Sequence, residues 1–242
     1  MKKVITITAF ILVMGGAVFA MAGNKNYAWR YKMTVSVETP EGLVQGSAVR
    51  QMGNDTGGSF IPEAGNPADV RGEAVVVDMG KRGVLFALIS SDSDMEFYSA
   101  FPIPGQAPHN GGSTPEGIKY YASLPAGTKG TLSPAEFPGY PKLVAFTDMK
   151  DPKSVTQAQV WERQPDNVYA LKQDNMEKLF GKGVHLKDIT LEITKEPVTW
   201  GVVDKYLPDQ LLNNFTTWWN NLSNQNKMNI SDLLQFKQGV SQ

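Results

Sequence analysis

The residues from Trp29 to Glu38 alternate strictly between apolar and polar side chains, and this alternation constrains the fold more than any other feature of the chain. A period of two places one set of side chains on one face of a β-strand and the other set on the opposite face. The apolar set is Trp29, Tyr31, Met33, Val35 and Val37. Because burial of each such side chain contributes roughly 1.5–3 kcal/mol, the pattern predicts a strand with one buried and one solvated face.

A turn and a return strand follow directly. In Thr39–Gly42, proline at the second position fixes φ and glycine at the fourth position tolerates a positive φ. Leu43–Met52 then has the length of a partner strand. The segment therefore predicts a β-hairpin.

Further segments of strand length are separated by turn residues: Val70–Met79, Val84–Ile89, Lys142–Thr147, Val155–Arg163, Val168–Lys172 and Leu186–Thr194. Val84–Ile89 is apolar throughout, which predicts burial on both faces. The chain has 23 glycines and 15 prolines, a content typical of many short strands and turns. We predict a mainly β (β-rich α+β) domain over residues 28–206, built as an antiparallel sandwich or a partly closed barrel with short helices.

Two short helices are predicted within this domain. Ser113–Glu116 resembles a capping box that begins a helix running through Ala122. In Asp174–Phe180, Asp174 is the predicted cap, Glu177 completes the box and Gly181 ends the helix. The surrounding segment from Phe101 to Pro141 is predicted to be mostly irregular, and either wraps the core or has a function. No element is predicted for Ser90–Tyr98.

The C-terminal segment, residues 207–242, is predicted to be a helical appendage. Its apolar residues fall at helical spacing and form one stripe: Leu211, Leu212, Phe215, Trp218, Trp219 and Leu222. Such a stripe packs on a sheet, lies in a membrane interface or docks on a partner. Ser231–Phe236 is predicted to form a last short helix.

The N-terminal segment, residues 1–22, has the layout of a secretory signal peptide. Lys2 and Lys3 precede the apolar run Val4–Met14, and Ala20–Ala22 offers a small-residue cleavage site. A helix over residues 4–22 is about 28 Å long, close to the ~30 Å thickness of the hydrocarbon core. The segment therefore predicts a periplasmic protein, or alternatively one anchored in the inner membrane and facing the periplasm.

Composition excludes several chemistries. The chain has no cysteine and only two histidines, His109 and His185, so neither a metal site nor a cofactor is predicted. It has a net charge of −1 and no basic run, which argues against nucleic acid as a partner. Asp55-Thr56-Gly57 matches the aspartic-protease triplet, but no second copy exists.

Carboxylates at Asp92, Asp94 and Glu96, and at Asp148 and Asp151, could touch a hard cation, although solvated turn charges explain them better. Catalytic residues are therefore left unassigned. An aromatic-bearing loop offers the best candidate binding surface, with Tyr98, Phe101, Tyr120 and Tyr121 as its residues, unless these side chains belong to the core.

Two functional hypotheses follow. The first is a non-enzymatic binding or structural module of the cell envelope, whose partner is an envelope protein or a small ligand. Membrane contact would come through the N-terminal segment. The alternative is an envelope hydrolase that uses carboxylates such as Asp92 or Asp148 in a loop-lined pocket.

Four stretches carry a resemblance to a recurring family of exported or membrane-anchored bacterial proteins: YKMTVSVETPEGLVQGSAV (Tyr31–Val49), LVAFTDMKDPKSV (Leu143–Val155), LFGKGVHLKDITLEIT (Leu179–Thr194) and EPVTWGV (Glu196–Val202). The resemblance implies a bacterial, Gram-negative source. It implies no activity and no functional residues, because the family has no established activity. Gln157–Gln173 departs from the family as an insertion, and Leu207–Gln242 departs as an added tail.

Overall fold

The strands of this chain form open antiparallel sheets that do not close into a barrel in the part of the chain described. The structure is a computed structural model. It describes residues 25–57, 68–89, 93–106, 111–135, 139–166, 168–207, 215–229 and 236–239. The chain is mainly β, with 42% strand against 22% helix, which confirms the predicted fold class.

In the described residues, twelve strands make up three sheets. They are β1 (Asn26–Thr39), β2 (Gly42–Asp55), β3 (Asp69–Glu73), β4 (Val75–Asp78), β5 (Val84–Ala87), β6 (Lys129–Thr131), β7 (Leu143–Phe146), β8 (Val155–Gln157), β9 (Gln159–Arg163), β10 (Tyr169–Asp174), β11 (His185–Thr194) and β12 (Lys237–Gln238). The large sheet has the order β12-β3-β2-β1-β11-β6 and the smaller one β4-β5-β7-β8, while β9 and β10 form a two-stranded hairpin. All the strand pairs are antiparallel.

The predicted hairpin is confirmed as β1 and β2, which pair from Asn26 opposite Asp55 to Thr39 opposite Gly42. Gly42 closes the turn with φ of +127°, a conformation that favours glycine. The five predicted apolar residues of β1 are all buried. Ser36 departs from the alternation because it is buried as well, and its hydroxyl accepts a hydrogen bond from Gln45 Nε2 at 3.0 Å.

The prediction of one strand over Val70–Met79 is wrong, because the chain changes sheet at Ala74. β3 pairs with β2 in the large sheet, whereas β4 pairs with β5 in the smaller one. The buried Arg50 guanidinium lies at this crossing and donates to the carbonyls of Glu73 and Ala87, both at 3.1 Å. It therefore binds carbonyl groups at the place where strand pairing changes.

The prediction of one strand over Val155–Arg163 is also wrong. The chain leaves the smaller sheet after β8 and enters the β9–β10 hairpin, with Ala158 buried at the break. The Ala158 amide donates to the carbonyl of Leu143 at 2.8 Å, and its carbonyl accepts from Asn175. The hydrogen bonds of Ala158 thus join the smaller sheet to the start of the next helix.

Two apolar clusters hold the sheets together. The larger one fills the space between the sheets and contains residues from both, including Met33, Leu85 and Leu191. The smaller one lies on the other face of the smaller sheet, where the Phe86 ring meets Phe146 and Phe236 edge-on. Leu85 and Phe86 of β5 belong to different clusters, so the predicted burial of both faces of this strand is confirmed.

Five short helices accompany the sheets in the described ranges: α1 (Ser93–Ala100), α2 (Pro115–Ser123), α3 (Met176–Phe180), α4 (Phe215–Asn220) and α5 (Asn224–Asn229). None of them combines the length and the apolar character that crossing a bilayer requires. Helix α1 occupies a segment for which no element is predicted. The cap of α2 is Thr114, one residue after the predicted Ser113, and its hydroxyl accepts from the Gly117 amide at 3.1 Å.

Helix α3 ends at Gly181 as predicted, with φ of +100°. Asp174 does accept a hydrogen bond at the start of the helix, from the Met176 amide at 2.8 Å. The predicted capping box is wrong, however, because Glu177 accepts from the Gly183 amide beyond the helix end.

The C-terminal residues that the structure describes pack on the smaller cluster. Phe236 and Leu222 are buried there, and Trp219 packs against them. β12 pairs with the end of β3. Several predictions lie outside the described residues: the N-terminal segment 1–22, Leu211, Leu212, the side chains of Phe215 and Trp218, and all of Ser231–Phe236 except Phe236.

Candidate functional site

Three turns meet at one end of the sandwich, and we call this region the turn end: residues 39–42, 80–83 and 181–184. They connect β1 to β2, β4 to β5, and α3 to β11. The Pro40 ring lies next to Gly183, and the Phe180 ring lies next to Gly83. Loops that a rigid scaffold positions in this way commonly carry binding residues.

Arg82 fastens the three turns together. Its Nε and Nη2 donate to the two carboxylate oxygens of Glu41 at 2.9 and 2.7 Å, a bidentate pair. Its Nη1 donates to the carbonyl of Phe180 at 2.9 Å. Gly181 has a φ of +100°, which favours glycine, and a Cβ there would lie 2.7 Å from that nitrogen, so a larger residue would strain the turn and displace the guanidinium. One guanidinium therefore fixes the relative positions of all three turns.

This pairing also sets the charge state of both groups. The hydrogen bond from Arg82 lowers the pKa of Glu41 below the ordinary value of a glutamate, and the bond to Glu41 raises the pKa of Arg82. Both groups are thus charged at neutral pH, and each neutralises the other.

A cavity of about 390 Å³ opens between the first two turns, within the range of ligand pockets. Its lining consists of Thr39, Glu41, Val44, Met79, Lys81 and Arg82. The Thr39 hydroxyl is already engaged, since it donates to the Gly42 carbonyl at 2.8 Å. No carboxylate of the described residues forms a salt bridge with Lys81. The lining thus combines an apolar wall with one excess positive charge.

A second cavity, of about 290 Å³, lies between α3 and β11 and is lined by Asp174, Glu177, Val184 and His185. Both carboxylates already hold the local backbone: Asp174 accepts from the Met176 amide, and Glu177 accepts from the Gly183 amide at 2.9 Å. Asp174 also accepts from Gln159 Nε2 at 2.9 Å. These bonds explain the two carboxylates as helix and loop caps.

The four residues of the predicted aromatic surface lie together, but away from the turn end. Tyr98, Phe101 and Tyr121 are buried in the larger cluster, and Tyr120 packs against it. The Tyr98 and Tyr121 rings stack at 5.1 Å between centroids. Burial raises the pKa of both hydroxyls. A ligand would have to enter this packed aromatic cluster, so their role in binding stays a prediction.

Polar groups lie inside the same cluster. Tyr31 and Arg50 face each other across β1 and β2, and both are fully buried. Burial raises the pKa of Tyr31 to about 12, against the opposing charge of Arg50. The Tyr31 hydroxyl forms no hydrogen bond of ordinary geometry in the described part of the chain.

The described carboxylates among those that the sequence offered as metal or catalytic groups do not form a metal-binding cluster. Asp148 and Asp151 accept from the amides of Lys150 and Lys153 at 2.9 Å, which confirms their interpretation as turn-capping charges. Asp55 similarly accepts from the Gly57 amide at 2.7 Å. Asp92 and His109 lie outside the described residues. Across the described ranges, no group of three or more His, Cys, Asp or Glu side chains could hold a metal ion.

No protein-family model, no curated protein and no solved structure matches this chain. The sequence predicted the turn at residues 39–42 and the helix end at Gly181, but it did not single out the charged side chains that line the cavity at the turn end. The available signal was weak: Glu41 precedes a glycine in the first turn, and Lys81 and Arg82 lie between two glycines in the second.

Proposed function

We propose that this chain is a bacterial cell-envelope protein that acts by binding, without catalysis, and that its ligand binds at the turn end. The observation that carries the proposal is the 390 Å³ cavity, where an apolar wall of Val44 and Met79 stands beside the charged side chain of Lys81. Ligand pockets are mostly apolar, with a few positioned polar groups that fix orientation.

Preorganisation supports the same proposal. Arg82 is held by Glu41 and by the Phe180 carbonyl, so the cavity wall is built before any ligand arrives. Ligands bind more tightly to such a site because little side-chain entropy remains to be lost.

The alternative of an envelope hydrolase rests on the second cavity, where two carboxylates and His185 lie together. General acid–base catalysis requires a group that is free to exchange a proton with the substrate. Asp174 and Glu177 instead accept hydrogen bonds from backbone amides. We therefore place this function second. Turnover of a cell-wall substrate that Glu177→Gln abolishes would reverse the order.

The location in the envelope is proposed from the N-terminal segment, with its basic start, apolar run and small-residue end. A reporter that is active only outside the cytoplasm, fused after Ala22, tests export. Mass spectrometry of the mature N-terminus then distinguishes a cleaved signal from a retained anchor. A reporter that stays inactive would refute this part of the proposal.

The binding proposal is tested with the full chain, purified in the form that accumulates in cells. A panel of small neutral, cationic and anionic compounds is screened by amide NMR. We expect at least one compound to shift the resonances of residues 39–44 and 79–83, and Arg82→Ala to weaken that response. Lys119→Gln, an exposed lysine on α2, serves as the control. If every member of the panel leaves these resonances unchanged, the proposal fails.

A further inference from the structure

We infer that the 390 Å³ cavity selects a small organic anion with a short apolar tail, the chemistry of a medium-chain carboxylate. This inference rests on the proposed binding function and specifies its ligand. It follows from two features of the lining: the charge that remains uncompensated and the apolar wall.

The charge argument begins with Arg82. Its three nitrogens use three of the five N–H donors on Glu41 and the Phe180 carbonyl, so its charge is already paired with that of Glu41. The Glu41 carboxylate is engaged by the same bonds. Lys81 contributes a flexible ammonium that forms no salt bridge in the described part of the chain. A ligand carboxylate could therefore pair with the Lys81 ammonium. A ligand ammonium would find no carboxylate in the lining except Glu41, which is already paired with Arg82.

The apolar argument concerns Val44 and Met79. Met79 is 8% exposed and Val44 is half-buried, so both present a fixed hydrocarbon surface to the cavity. A buried methylene is worth about 0.8 kcal/mol, which corresponds to roughly a fourfold gain in affinity. A ligand with an apolar tail uses this wall, whereas acetate does not.

The probes are octanoate, octanol, octylamine and acetate, each titrated into the full chain as purified. Binding is followed through the ¹³C methyl resonance of Met79, assigned with Met79→Leu. Met33, fully buried in the core, provides an internal reference. We expect octanoate to bind about three- to tenfold more tightly than octanol, because a partly exposed ion pair contributes modestly. Octylamine and acetate should bind more weakly still.

A charge reversal makes the test specific. Lys81→Glu turns the excess positive charge of the lining into an excess negative charge, so we expect it to weaken octanoate and to make octylamine the preferred ligand. A gain of octylamine binding cannot come from an unfolded variant. The matched substitution Lys119→Glu on α2 should leave the order of the four probes unchanged.

The outcomes separate the two proposals. If octanoate and octylamine bind equally at Met79, or if Lys81→Glu leaves their order unchanged, the ligand class is wrong while the binding site stands. If octanoate shifts the resonances of Phe101 or Tyr120 instead of Met79, the inference is overturned in favour of the aromatic cluster. If neither these probes nor the wider panel perturbs the turn end, both proposals fail.

Discussion

Glu73→Gln should destabilise the fold by about 2–4 kcal/mol, although the change is isosteric. Glu73 is fully buried at the sheet crossing. Its Oε1 accepts from the Gly201 amide at 2.6 Å, and its Oε2 accepts from the amides of Val202 and Val203 at 2.9 and 3.3 Å. The carboxylate therefore fastens the segment that follows β11 to the junction of the two sheets.

The magnitude follows from the geometry of glutamine. Its amide has one acceptor oxygen, so in either orientation at least one backbone N–H faces an NH₂ group. A buried donor left without an acceptor costs about 1–3 kcal/mol. The remaining bonds lose their charge assistance, which adds roughly another 1 kcal/mol. Against a typical stability of about 5–15 kcal/mol, the effect is easily measured.

Guanidinium chloride unfolding followed by tryptophan fluorescence measures the change, and hydrogen exchange of the Gly201 amide localises it. Lys237→Met is the control, because the Lys237 ammonium lies 3.6 Å from Glu73 Oε1 and is partly exposed. Lys237 also pairs with Asp204, but three backbone amides still stabilise the Glu73 carboxylate after this substitution, so it should cost less than Glu73→Gln, about 1–2 kcal/mol. If Glu73→Gln costs no more than Lys237→Met, and Gly201 exchanges at its original rate, the backbone bonds are not what fastens the segment.

Three further predictions concern packing and ionisation. Gly46→Ala should cost about 1–3 kcal/mol in denaturant unfolding, because the new Cβ would lie 2.0 Å from the Val76 carbonyl oxygen. Gly53→Ala is the control: its Cβ would lie 3.8 Å from the nearest atom, so it should cost under about 0.5 kcal/mol. Equal costs would refute the close contact. Arg82 lowers the pKa of Glu41, so the stabilising effect of the ionised Glu41 is present at neutral pH and is lost as the pH falls through its folded-state pKa. In Arg82→Met, a ¹³C NMR titration should show a higher pKa for Glu41. An unchanged pKa would contradict the pairing. Burial raises the pKa of Tyr31 to about 12, so the neutral hydroxyl contributes fully to stability below about pH 10 and this contribution is lost as the pH rises towards 12. Tyr31→Phe should remove this loss at high pH and should change stability at pH 7 by under about 1 kcal/mol. If the variant loses as much stability at high pH as the original chain, the buried hydroxyl is not the cause.

Local periodicity predicted the strands that have one solvated face. β1 and β11 both alternate along their length, and the turn at Gly42 follows from proline and glycine at set positions. These signals are local, because alternation depends only on neighbouring residues. They therefore survive without any knowledge of the tertiary structure.

Features set by tertiary contacts could not be predicted in the same way. The residues at the two changes of sheet, 72–74 and 157–159, are weak strand formers, but no proline or turn dipeptide marks a break there, so local sequence does not show that the chain moves to another sheet. Helix α1 buries Glu96 and Ser99 together with Phe97, so it shows no clean apolar stripe. In each case the burial partner comes from a distant part of the chain.

The turn end illustrates the same limit. The turn that contains Glu41 was predicted, but Arg82 lies 41 residues further along the chain, and only the packing of the two sheets brings the two side chains together. Aromatic residues gave the more visible signal, and they led to Tyr98 and Tyr121, which are buried in the core. The charged turn residues carried no pattern that would rank them above other surface charges.

The most direct test of a binding site at the turn end is to locate a bound ligand by intermolecular nuclear Overhauser effects. With octanoate present at saturation, we expect contacts from its methylene protons to the methyl groups of Val44 and Met79. Contacts to the rings of Phe101 and Tyr120 instead, with none to Val44 or Met79, would contradict the account.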